Sequence, residues 1–237
     1  MVQLCAHRGV SHACPENTLP AFGAAVALGM AEIEFDLWLS RDGVPVVCHD
    51  RTVDRTTDGE GEIGALDWSD IQRLDAGAYL GELWCGVRVP RLEEVLDLVG
   101  KKVVLNIHIK DQGPDGMLVK MVCDEIEKRG LVGQAYIAGD APVLEDARRI
   151  APDVARCCLG GQHDPEQQVD LAIEYGCERV QFRREVSDEA IKRAKDHGLV
   201  CNLFWSDEVG DAREYVRRGI EVVLTNRGNL LLDIAEG

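Results

Sequence analysis

"LNIHIK", residues 105–110, alternates strictly between apolar and polar side chains. On a strand, Leu105, Ile107 and Ile109 share one face, and Asn106, His108 and Lys110 share the other. Val103 and Val104 precede it, so the strand enters from an apolar run. An amide, an imidazole and an ammonium then point to one place. That face either meets water or lines a site.

Seven more short β-branched or apolar runs read as strands: "VQLCAH" (2–7), "EIEFDLWL" (32–39), "AYIAG" (135–139), "VARCCL" (154–159), "RVQF" (179–182), "LVCNLFW" (199–205) and "EVVLT" (221–225). Amphipathic stretches lie between them. "TLPAFGAAVALG" (18–29) and "DGMLVKMVCDEIEKRG" (115–130) end on glycine, as helices often do. "DPEQQVDLAIEYG" (164–176), "SDEAIKRAKDHG" (187–198) and "SDEVGDAREYVRRG" (206–219) also open on an Asp or Ser that suits an N-cap. Eight strands alternating with helices predict parallel βαβ units. Eight units in 237 residues fit an α/β (β/α)8 TIM barrel better than an open doubly wound sheet. Residues 44–90 break the rhythm between the second and third barrel strands, and are read as an insertion above the carboxyl end of a single barrel domain spanning 1–237.

Bulk properties narrow the function. Hydrophobic residues make up 46% and charged residues 29%, which predicts a packed core. The net charge of −16 disfavours nucleic acid and anionic membrane surfaces as partners. An anionic small molecule then needs a local cationic pocket or a bound metal. The nine cysteines form no CxxC pair, and Cys5, Cys48, Cys123 and Cys201 sit in apolar runs, as reduced buried thiols do. No signal-peptide pattern and no apolar stretch of membrane-spanning length is seen, so a cytoplasmic protein without stable membrane insertion is expected. Its oligomeric state is left open between monomer and homo-oligomer.

In such a barrel, chemistry gathers at the carboxyl ends of strands. Those ends carry His7 and Arg8, then Glu34 and Asp36, then His108 and Lys110, with Gln181, Arg183 and Trp205 further on. The insertion adds His49 and Asp50. Glu34 and Asp36 lie two apart, so both carboxylates point the same way, with Ile33, Phe35 and Leu37 opposite. Two carboxylates inside a barrel must be protonated, paired or bound to a cation. An acidic edge strand is the alternative, and a closed barrel has no edge. Either histidine alone reads as a structural residue, whereas two at strand ends can serve as general acid and base. Arg8 and Lys110 can hold a phosphate, or simply pair with Glu34 and Asp36.

"AHRG" (6–9), "PENTLPAF" (15–22), "IEFDLWLSRDGVPVVCHD" (33–50) and "RTTDGEG" (55–61) follow one another in an order that resembles the glycerophosphodiester phosphodiesterase family. "PRLEEVL" (90–96) and the 105–110 strand extend the likeness, while "NLFW" (202–205) and "LTNRG" (224–228) match it loosely. The resemblance implies a barrel that uses one divalent metal to hydrolyse a small-molecule glycerophosphodiester to glycerol 3-phosphate and an alcohol. It makes His7 and His49 the catalytic acid/base pair. Glu34 and Asp36 become metal ligands, and Arg8, Lys110 and Glu16 become part of the substrate-binding cluster. Trp205 would wall the glycerol or the leaving group, or merely pack at the rim.

One residue departs from the pattern. His108 stands where the family usually has glutamate, at the expected third metal ligand. Family likeness points to Mg²⁺ or Ca²⁺, while the imidazole better suits Mn²⁺ or Zn²⁺. If His108 binds no metal, two carboxylates and water remain. Two rival readings accompany the leading one: a phospholipase D-like hydrolase of lysolipids, and a non-catalytic phosphodiester-binding barrel.

Overall fold

The computed structural model describes residues 2–235. Eight parallel strands close on themselves: β1 (Gln3–His7), β2 (Glu32–Leu39), β4 (Val104–Ile109), β5 (Ala135–Gly139), β6 (Ala155–Cys158), β7 (Arg179–Arg183), β8 (Val200–Phe204) and β9 (Val222–Thr225). The first pairs with both the second and the last, which makes the sheet a barrel. Each of the eight runs read as strands in the sequence is one of these staves.

A ninth strand, β3 (Pro45–Val47), runs antiparallel beside β2, with Leu37 opposite Val47. It begins the insertion, which also contains the short helix α2 (Trp68–Ile71) and three 3-10 turns. The insertion has its own small core of Val46, Val53, Ile63, Ile71 and Val89, with Trp38 and Trp68 packed on its edge. That separate core accounts for the missing helical period: its apolar residues face each other rather than a sheet.

Helices α1 (Leu19–Ala27), α3 (Leu92–Val99), α4 (Met117–Lys128), α5 (Ala141–Ile150), α6 (Pro165–Glu174), α7 (Asp188–Asp196), α8 (Val209–Arg218) and α9 (Gly228–Ala235) form the outer ring. The main core lies between them and the outward strand faces, where Ile33, Phe35, Leu37, Leu105, Ile107 and Ile109 are buried against Phe22, Val95, Leu118 and Val122. Asp164 and Ser187 cap their helices as expected, accepting from Gln167 N and Ala190 N. Ser206 does not. Its hydroxyl donates to Asp211 Oδ2 at 2.6 Å, and α8 starts three residues later, after Glu208. The helix closes as predicted at Gly219, whose φ of 113° favours glycine. Eight of the nine cysteines are buried as free thiols, and Cys85 is exposed. No helix among the described residues is long and apolar enough to cross a membrane.

The barrel interior is unusually polar. Deep inside, fully buried Glu32 accepts from Tyr136 Oη at 2.8 Å and from Arg179 Nη1 at 3.0 Å. The Arg179 guanidinium lies over the Tyr136 ring, and Asn202 Nδ2 donates to the Tyr136 hydroxyl. This layer forms a floor beneath the strand ends.

Candidate functional site

Strand register assembles the site. Pairing of β2 with β4 sets Asp36 beside His108 and Glu34 beside Asn106, so the inward residues of two strands meet in one layer. The atoms that Glu34, Asp36 and His108 can offer a cation all lie within 4.8 Å of one another. Asp36 Oδ1 is 3.0 Å from both His108 Nδ1 and Lys110 Nζ. Neither contact has hydrogen-bond geometry, so this buried oxygen faces an imidazole and an ammonium without being satisfied by either. Burial, then Asp36, pushes the Glu34 carboxyl well above the ordinary carboxylate range. Burial would raise Asp36 as well, but His108, Lys110 and Arg8 outweigh it and hold Asp36 well below. A donor set of two carboxylates and an imidazole, with one buried oxygen unsatisfied, fits a divalent cation.

The turn after β1 is bent to serve this layer. Arg8 has φ 58°, a conformation costly for a side chain bearing Cβ. There its backbone N–H donates to Glu34 Oε2 at 3.0 Å. Gly9 follows at φ 78°, where a Cβ would come within 2.7 Å of the Ala21 backbone. The "HRG" spacing thus combines a strained arginine with a glycine that lets α1 close in. From the "PENT" turn, Asn17 Nδ2 donates to Asp36 Oδ2 at 3.0 Å and Glu16 Oε1 accepts from Arg8 Nη1 at 3.0 Å.

The two histidines have different supports. His7 Nδ1 lies 2.8 Å from Asn226 Oδ1. Asn226 Nδ2 donates to Asp207 Oδ2, which leaves that amide oxygen facing His7 as an acceptor. His7 therefore carries its proton on Nδ1 and keeps a lone pair on Nε2, 4.0 Å from Glu34 Oε2. Burial, reinforced by Arg8, lowers its pKa to about 4. His49 Nδ1 instead lies 2.6 Å from Asp50 Oδ1. Arg55 Nε donates to Asp50 Oδ2 at 2.5 Å, and its terminal nitrogens donate to Glu16. Although burial opposes it, Arg55 and His49 keep the Asp50 carboxyl below its ordinary value.

A cavity of about 210 Å³ joins His7, Arg8, Glu34, Asp36, His49, His108 and Lys110 with Gln181, Arg183 and Phe204. Glu16 does not line this cavity; it holds Arg8 and lines an outer cleft with it. Trp205 is outside this cavity, lining two outer clefts with Phe204, and its indole nitrogen donates to Asp207. Sequence reading missed Asn17, Arg55, Asp207 and Asn226 as site residues. Asn17, Arg55 and Asn226 all stand inside quoted motifs, but the contact of Asn226 with His7 spans 219 positions and is visible only in the fold.

Residues 7–230 match the glycerophosphoryl diester phosphodiesterase family. A glycerophosphodiester phosphodiesterase of Caldanaerobacter subterraneus subsp. tengcongensis is 32% identical over 97% of this chain and 96% of its own. Among solved structures, a glycerophosphodiester phosphodiesterase from Agrobacterium tumefaciens superposes with a TM-score of 0.86, at 26% identity over 98% of this chain and 99% of its own. A phosphodiesterase from Oleispira antarctica, solved with the product sn-glycerol-3-phosphate, shares the fold at TM-score 0.87 and 23% identity over 99% of this chain and 97% of its own.

Proposed function

The chain belongs to the glycerophosphoryl diester phosphodiesterase family, and on that premise we propose that it hydrolyses glycerophosphodiesters to glycerol 3-phosphate and an alcohol with the help of one divalent metal. The observation that carries this reading is the single cavity holding both histidines, both carboxylates and His108. Glu34, Asp36 and His108 would hold the metal. Once bound, the metal supplies positive charge to neutralise the phosphoryl oxygens as the bond order at phosphorus changes.

The protein's own groups divide the proton work. His7, neutral with a free Nε2, is the base that takes the proton of the substrate's glycerol hydroxyl as that oxygen attacks phosphorus. His49, backed by the Asp50 carboxylate, is the acid that protonates the departing alcohol oxygen as its bond to phosphorus breaks. Water then opens the resulting cyclic phosphate with the two roles reversed. The surroundings favour this division, because burial and Arg8 keep His7 neutral while the Asp50 carboxylate lies against His49 Nδ1.

Product analysis tests the proposal. The native chain, given divalent metal, is expected to release glycerol 3-phosphate from glycerophosphocholine or glycerophosphoethanolamine. Choline released from a lysolipid instead would select the phospholipase D-like reading. Absence of turnover with any divalent metal would select a binding protein.

A further inference from the structure

We infer that Arg183 is the anion clamp of this cavity, the side chain that grips the phosphoryl group of the incoming diester; the inference rests on the hydrolase reading above. The sequence suggests Arg8 and Lys110 for that task, and both also face carboxylates that offset part of their charge. Arg8 Nη1 is 3.0 Å from Glu16 Oε1 and its Nε is 3.6 Å from Asp36, while Lys110 Nζ is 3.0 Å from Asp36. The third cation lining the same cavity is Arg183, the last residue of β7. Among the described residues, no carboxylate lies within ion-pair distance of it.

Arg183 is nonetheless held in place. Its Nε donates to Gln162 Oε1 at 3.1 Å, and Gln162 Nε2 donates to the backbone oxygen of Gln181 at 2.8 Å. The tether uses the Nε and leaves both terminal nitrogens of the fork without a protein partner. A guanidinium oriented in this way at the mouth of a narrow cavity suits two oxygens of one phosphoryl group. On a chain of net charge −16, it also supplies the local attraction that an anionic substrate needs. Arg184, the next residue, is paired with Asp211 at 2.8 Å and lines only the outer cleft, whereas the exposed Arg183 borders both that cleft and the cavity.

The test is titration of the metal-loaded protein with sn-glycerol 3-phosphate, together with KM values for glycerophosphocholine and glycerophosphoethanolamine. Arg183→Gln should weaken binding of sn-glycerol 3-phosphate by about tenfold or more, the usual scale for a lost charge-assisted contact. It should raise both KM values by a common factor. Arg183→Lys should recover part of the loss, because the charge returns without the fork. Gln162→Ala should weaken binding by a smaller factor by freeing the tether. Unchanged affinity in Arg183→Gln overturns the inference, and so does a KM rise confined to one of the two diesters. If the native chain binds sn-glycerol 3-phosphate through Arg183 but cleaves neither diester, the hydrolase reading fails and the clamp stands.

Discussion

Two carboxylate layers share the barrel interior, one residue pair apart on the same strand. Glu32 in the floor is matched: one oxygen takes a guanidinium hydrogen bond and the other a phenol hydrogen bond. Glu34 and Asp36 above it are not. Glu34 is driven toward its neutral form, and Asp36 keeps a buried oxygen lacking any hydrogen bond despite an ammonium and an imidazole at 3.0 Å. The difference separates structure from chemistry. A buried charge whose partners saturate it stabilises a fold, whereas one left frustrated is available to a ligand. The upper layer accordingly faces the cavity and the lower one does not.

Mutations should break the two layers in different ways. The largest expected effect is on catalysis: His7→Ala or His49→Ala should lower turnover by about two to four orders of magnitude or more while circular dichroism shows an intact fold. Near-normal turnover in either variant would remove that histidine from the mechanism. Glu32→Ala should instead cost about 3–5 kcal/mol of stability in chemical denaturation, because Arg179 is left without its partner in a buried site. If denaturation were unaffected and activity lost, the floor would belong to the site.

A smaller effect is expected from Asn226→Ala. It removes the acceptor that fixes His7's tautomer and should lower kcat/KM by about tenfold to a hundredfold, the scale seen when an orienting partner is lost. The pH profile of the native chain checks the same point. A base must be unprotonated, and His7's pKa is pushed down to about 4. Activity in kcat/KM should therefore survive as pH falls through 6 and be lost only as pH nears 4, whereas an acid limb near 6.5 would mean His7 titrates normally. The smallest change expected is in metal preference. His108→Glu adds a third carboxylate and should tighten Mg²⁺ and Ca²⁺ binding by roughly tenfold relative to Mn²⁺. Calorimetric titration that finds no gain would show that position 108 does not tune the cation.

Much of this was legible in the sequence because it is local. Alternation of period two told which residues of β2 and β4 point inward, and the motif order of residues 5–61 brought His7, Glu34, Asp36 and His49 into one list. What escaped depends on distance. Asn226, although inside the quoted "LTNRG" stretch, and Asp207 support His7 from the far end of the chain, and Arg183 gains its meaning only when Arg8 and Lys110 are seen to face carboxylates and Arg183 is seen to face none. Ser206 misled for a related reason. Its pattern is that of a helix cap, but its hydroxyl is spent on Asp211. Glu32 lies on the same inward face as Glu34 and Asp36, and only its contacts with Tyr136 and Arg179, over a hundred positions away, mark it as structural.

The central claim is that this cavity cleaves glycerophosphodiesters with a divalent cation held at Glu34, Asp36 and His108. A coupled assay of glycerol 3-phosphate release, before and after chelation and again after divalent metal is restored, tests it most directly. The account predicts that release stops with the chelator and returns with the metal. Release that continues unchanged through chelation would contradict it.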